Sequence, residues 1–157
     1  MNIVSKVVGE RRSAEREAAL WRELKRLPEE DRLSELVTYL SIGENSKICS
    51  KAELALKAAN RSLVGRELIL KLLTYGLAHA DASTIQSWLK WLVPKLGLWR
   101  IIKHLNDSYM QFPEGVKNAH YWLPQIYNKE NESKRAEEQL ILLDMKIREG
   151  RGAVREL

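Results

Sequence analysis

One cysteine, Cys49, is all this chain holds, so no internal disulfide can staple it. Glycine and proline are scarce, 8 and 4 in 157 residues, which leaves few turns and few chain breaks. No stretch alternates apolar and polar residues long enough to make a convincing strand, so a sheet is not expected to organise the fold. No run of about 18 uncharged apolar residues occurs either. The most apolar stretch, Leu68 to Ala80, is short and carries Lys71. A membrane-spanning helix is therefore not expected. The opening residues, Met1-Asn2-Ile3-Val4-Ser5-Lys6, lack the long apolar segment of a secretory signal. With the lone cysteine, this makes a reducing cytoplasm the expected location.

Motifs that commit a chain to a chemistry are missing too. There is no phosphate-cradling loop, dinucleotide glycine pattern, serine nucleophile elbow or carboxylate–histidine zinc helix. His79, His104 and His120 each lack a second His, Cys or carboxylate at the spacing of a preformed metal site. His104 and Asp107 stand three apart, and a histidine favoured by a helix end explains that pair equally well. Cys49, beside Ile48 and Ala52, reads as a small inert core residue. No catalytic, cofactor-binding or metal-binding residue is expected, and the chain is expected not to be an enzyme.

What the sequence does have is helical spacing almost everywhere, with 45% hydrophobic residues to build a core and 30% charged residues to solvate it. Eight helices are predicted, over about 10–27, 29–41, 46–60, 63–79, 83–93, 95–106, 114–127 and 132–149. Pro28 followed by Glu29, Glu30 and Asp31 marks the second start: a missing N–H costs nothing there, and three carboxylates face the positive helix end. The first helix carries Ala14, Ala18, Trp21 and Leu24 on its apolar stripe, widened by Leu20 and Leu27. The second carries Leu33, Leu36, Val37 and Leu40 at i, i+3, i+4, i+7. Gly43 should end the second helix, Pro94 the fifth and Gly150 the eighth. Ser50 with Glu53, and Ser83 with Gln86, have capping-box spacing. Gly76, interior to the fourth helix, calls for close approach by another helix to offset its poor propensity. Pro124 should kink or split the seventh. A single all-α domain over 1–149 is expected, with 150–157 as a frayed, flexible tail.

Leu36-Val37-Thr38-Tyr39 is echoed 36 residues later by Leu72-Leu73-Thr74-Tyr75. Each copy runs into a polar break, Gly43-Glu44-Asn45 or His79-Ala80-Asp81, and then into a second helical run. Hairpins starting near 29, 63 and 95 follow at repeat-like spacing. Over about residues 29–127 the pattern resembles the HEAT/armadillo superfamily of α-helical repeats. That resemblance implies a short α-solenoid-like stack of helical hairpins with flanking helices, the charged first and last helices capping the stack. The usual first-helix proline of HEAT repeats is absent from the second and fourth helices. A nonrepeating helical bundle is the alternative fold.

The net charge of +5 is unevenly placed. Residues 1–35 hold 8 basic and 8 acidic side chains and 129–157 hold 7 and 7, whereas 36–128 hold 11 and 6. The whole excess thus lies mid-chain, with no basic tail. Aromatics fall in the same region. Tryptophan occurs 5 times and phenylalanine once. Trp21 and Trp88 lie on apolar stripes and read as core; Trp91 lies at the margin of its stripe. Trp99 falls between Lys95 and Lys103 at i−4 and i+4, next to Arg100, and Tyr121 falls between Lys117 and Gln125. Lys95, Trp99, Arg100, Lys103, Tyr121 and Trp91 are therefore the candidate partner-binding residues, unless a neighbouring helix covers Trp99 while the lysines snorkel outward. The expected function is a non-enzymatic scaffold or protein–protein interaction module whose partner is another protein or a second copy. Two alternatives stay open. One is a nucleic-acid-binding helical protein, since HEAT-like folds include DNA-repair glycosylases that grip duplex DNA with a basic concave face and aromatics. The other is an enzyme of unrecognised class.

Overall fold

The computed structural model describes residues 13–41, 48–126 and 133–155. The described residues are all-helical, with eight helices and no strand. In chain order these are α1 (Ser13–Lys25), α2 (Glu29–Ser41), α3 (Ile48–Ser62), α4 (Arg66–His79), α5 (Ile85–Leu96), α6 (Leu98–Ser108), α7 (Pro113–Ile126) and α8 (Lys134–Arg155). The chain gathers into two compact units, Met1–Tyr75 and Gly76–Leu157. The division falls inside α4. The expected helix start at Glu10, the stop at Gly43 and the side chains of Ala14, Ile48, Cys49, Ser50 and Ala52 lie outside the described residues. Ser50 itself falls within α3, not at its cap.

In the first unit α3 packs against both α1 and α2, and α1 also meets α2. Small residues make the approach close: Ala55, Ala58 and Ala59 of α3 are buried beside Leu56. Opposing them are Leu20 and Leu24 of α1 and Leu33, Leu36 and Tyr39 of α2, all buried. Trp21, expected in the core, is half-buried instead, with Lys25 Nζ 4.8 Å from its ring centre. Leu20 and Leu24 define the inner face, and Trp21, about 100° round from Leu20, falls at its edge.

Two side chains of α2 bind helix ends. Arg32 Nε donates to the carbonyls of Leu24 and Leu27, both at 2.9 Å. Its Nη1 donates to the Ser62 carbonyl at 2.6 Å and its Nη2 to that of Lys25 at 3.2 Å. One guanidinium thus bonds carbonyls at the C-terminal ends of both α1 and α3. Glu29 Oε1 accepts from the N–H groups of Val64 and Gly65, both at 2.5 Å, just before α4. Its carboxylate therefore serves the start of α4 as well as its own helix.

The second unit is built round α6, which packs on α5, α7 and, most extensively, α8. Leu98, Ile101, Ile102 and Leu105 form its buried stripe. Polar pins complete the α6–α8 contact. Asn106 Nδ2 donates to the Gln139 carbonyl at 2.8 Å and to Gln139 Oε1 at 3.0 Å, and Lys146 Nζ donates to the Asn106 carbonyl at 3.0 Å. Trp88 is buried in α5, as its stripe predicts. Its ring lies so close to Gly76 that a Cβ there would sit 2.7 Å from two ring carbons. That is the close approach which the glycine in α4 calls for.

Two helix ends depart from expectation. Pro94 does not end α5, which continues to Leu96. The carbonyl it deprives belongs to Lys90, and both residues lie on the exposed side of the helix, where a lost hydrogen bond costs least. The stop is Gly97, with φ +87°, the one positive φ among the described residues. Its N–H bonds the Val93 carbonyl and its carbonyl accepts from Ile101, so it closes one helix and opens the next. Gly150 does not stop α8, which runs to Arg155 in place of a frayed tail from 150. A glycine stops a helix by adopting positive φ; Gly150 keeps helical geometry and instead lets the Tyr109 hydroxyl in where a Cβ would be. Pro124 leaves α7 unsplit from Pro113 to Ile126.

The start of α5 is also capped differently. Asp81 Oδ1 accepts from the Ser83 hydroxyl and from the N–H groups of Ser83 and Thr84, while Thr84 Oγ1 accepts from the Asp81 N–H at 3.0 Å. The reciprocal pair is Asp81 with Thr84, not Ser83 with Gln86; Gln86 reaches instead to Gln125 at 3.4 Å. The Ser83 hydroxyl and the Thr84 N–H hold the Asp81 carboxyl below its ordinary value.

The two copies of the echo agree in part. Leu36 and Leu72 are both fully buried, and the Thr38 and Thr74 hydroxyls both donate to the carbonyl four residues back. Tyr39 is buried, whereas Tyr75 is half-buried, enough for burial to raise its phenol pKa.

Candidate functional site

Gly97 divides the basic, aromatic face that the sequence suggests. Lys95 is exposed near the end of α5; Trp99, Arg100 and Lys103 stand on α6, beyond the break. Lys95 and Trp99 therefore do not share a helical face, because i, i+4 neighbours require an unbroken helix. Trp99 and Lys103 do share one. Lys103 Nζ, however, is paired with Asp107 at 2.9 Å.

Trp99 is half-buried, with guanidinium groups as neighbours in place of the lysines. The Arg100 Cζ lies 5.4 Å from its ring centre and that of Arg135, at the start of α8, lies 5.3 Å away. Both distances suit cation–π attraction. Arg100 Nη1 also donates to the Leu96 carbonyl at 3.2 Å. The tryptophan thus has arginines of its own chain beside it, one of them from another helix. Trp91 is half-buried, with Lys90 Nζ 5.7 Å from its ring. Tyr121 is 70% exposed on α7 and meets Trp122 edge-on, ring centres 5.1 Å apart. Its neighbour Lys117 pairs with Glu114 at 3.1 Å. The six candidates are thus distributed over α5, α6 and α7, and the shared contacts gather at Trp99.

A further surface lies on α8, outside the six candidate residues. Ala136, Leu143 and Ile147 face inward and are buried. Ile141, Leu142 and Met145 point away, at 58%, 48% and 52% exposed. The signal was in the sequence. Leu140-Ile141-Leu142-Leu143 is four consecutive apolar residues, and one helix face can bury only about half of such a run. Charges of both signs flank the stripe, with Glu138 and Glu149 exposed beside Arg148.

Among the described residues no group of three His, Cys, Asp or Glu could hold a metal ion. His104 is half-buried, which pushes its imidazole pKa down; Asp107 opposes that and Lys103 adds to it. His120 has a partner that spacing could not reveal. Its Nε2 lies 2.5 Å from Asp144 Oδ1, 24 residues away and on another helix. No described helix is long and apolar enough to cross a membrane. No protein-family model, curated protein or solved structure matches the chain.

Proposed function

We propose that this chain is a non-enzymatic interaction module that binds another protein through the outer face of α8. The observation that carries this reading is the exposed stripe of Ile141, Leu142 and Met145. Three large apolar side chains in one stripe cost solvation unless something covers them. A rim of mixed sign suits a protein surface more than a polyanion. A second copy of the chain is one form the partner could take. The echo of Leu36-Val37-Thr38-Tyr39 in Leu72-Leu73-Thr74-Tyr75 is the reason for reading the helices as hairpins like those of HEAT and armadillo repeats. The single cysteine supports a reducing compartment, the cytoplasm, as its location.

The test is capture of partners by the tagged protein, with and without nuclease, beside the variant Ile141→Lys, Met145→Lys. The expected result is a nuclease-resistant partner that the variant loses while its circular dichroism is unchanged. Sedimentation of the pure protein shows whether that partner is another copy. Retention of every partner by a folded variant would remove α8 as the interface.

Nucleic acid is the second reading, favoured by the mid-chain excess of positive charge and by Trp99 beside Arg100 and Arg135. Binding of that kind weakens steeply with salt. Titration of duplex and single-stranded DNA at 50 and 200 mM salt distinguishes the two readings.

A further inference from the structure

Between α6, α7 and α8 lies a cleft of about 300 Å³ lined by Leu98, Ile102, Leu123, Pro124, Leu140, His120 and Asp144. The volume matches the lower end for small-molecule sites. Five of the seven lining residues are apolar. The polar two are the hydrogen-bonded pair, His120 and Asp144, with side chains 30% and 40% exposed. They therefore stand where the cleft meets solvent.

The polar groups are biased toward accepting. Asp144 Oδ1 is engaged by His120 Nε2, and Oδ2 has no protein partner among the described residues. Pro124 carries no N–H, so the helix gives the His120 carbonyl no donor one turn on. No lysine or arginine lines the cleft. Lys103 pairs with Asp107, Lys117 with Glu114, and Lys146 donates to the Asn106 carbonyl; Arg148, exposed one turn beyond Asp144, makes no ion pair with it.

We propose that this cleft binds a small primary amine with an apolar body, its ammonium at Asp144 and its hydrocarbon against Leu98, Ile102, Leu123 and Leu140. An ammonium brings three donors and the charge opposite to that of the carboxylate. At a half-open mouth it keeps part of its hydration, so burying the tail is not cancelled by desolvating the charge. A carboxylate head would meet Asp144 with like charge. A neutral hydroxyl would bond without the charge assistance.

Hexylamine, hexanol and hexanoate share a tail and differ only in the head, so titrating each into the full chain by NMR tests the assignment. The expected order is hexylamine above hexanol above hexanoate, with shifts at the methyls of Leu98, Ile102, Leu123 and Leu140. Asp144→Asn should weaken hexylamine about tenfold and leave hexanol nearly unchanged, the scale of one charge-assisted hydrogen bond. Leu140→Trp, which fills the cleft from a half-buried position, should abolish both. Should that variant misfold, the methyl map on the native chain decides. No saturable hexylamine binding, equal binding of hexanoate, or shifts confined to methyls outside the cleft would overturn the proposal.

Discussion

Tyr109 and Gly150 share one volume: the tyrosine hydroxyl sits where a side chain on α8 would begin. The next ring atom, Cζ, is 3.5 Å from that point, an ordinary contact distance. Gly150→Ala alone should therefore destabilise the protein by about 1–3 kcal/mol, the scale of overpacking a buried contact. In a Tyr109→Phe background the same substitution should be neutral or stabilising by up to about 1 kcal/mol, since alanine is then only the better helix former. Thermal melts of the four proteins form a double-mutant cycle. Equal effects in both backgrounds would show that the hydroxyl does not hold that position.

Arg32 predicts a failure of charge conservation. Its fork reaches four carbonyls of two helix ends, and an ammonium on a single stem cannot replace that geometry. Arg32→Lys should cost about 1.5–3 kcal/mol in urea unfolding, the scale for hydrogen bonds from a charged group. A loss below about 0.5 kcal/mol would mean that solvent replaces the guanidinium without penalty.

The same helix ends show how far the sequence could be read. Pro28 with Glu29, Glu30 and Asp31 announces α2 without ambiguity, because each residue acts within its own turn. Gly97 and Gly150 are different. A glycine in sequence does not reveal whether it serves positive φ or a neighbour's approach, and for Gly150 the neighbour lies 41 residues away. Pro94 reads as a stop, yet in the last turn it costs a single hydrogen bond on the solvent side. The site follows the same logic. The aromatic and basic residues are legible as types, but the break at 97 regroups them, and Arg135 reaches Trp99 only through the fold. His120 and Asp144 carry no spacing signal at all.

His104 makes stability depend on pH. Burial keeps its folded pKa below the ordinary value of about 6.5. The unfolded chain therefore binds the proton first as pH falls. Stability is full above about pH 6.5 and declines as pH drops through that value toward the folded pKa. His104→Gln should flatten this decline, with Asp107 and Lys103 retained as the facing charges. Chemical denaturation at pH 7.5, 6.5 and 5.5 measures the slopes. Parallel slopes for the two proteins would locate the pH response in another group.

Position 141 separates a folding role from a binding role. Ile141→Lys removes a side chain that is 58% exposed, so its melting temperature should stay within about 2 °C of wild type. Leu143→Ala, on the buried face of the same helix, should cost about 2–5 kcal/mol. A large loss at 141 would show that the outer face of α8 already has a partner within the chain.

Gly97 also sets a phase. It is the one residue between α5 and α6, so the angular position of every α6 side chain is counted from it. Inserting one residue there would turn α6 by about 100° against its neighbours. Ile101 and Ile102 would rotate out of register with α5, α7 and α8, and the half-buried Trp99 would be carried to a new bearing. Substitution at 97 strains one backbone position; a change of length would misalign a whole helix. Chains that share this fold should therefore vary in composition along α6 while keeping the joint one residue long.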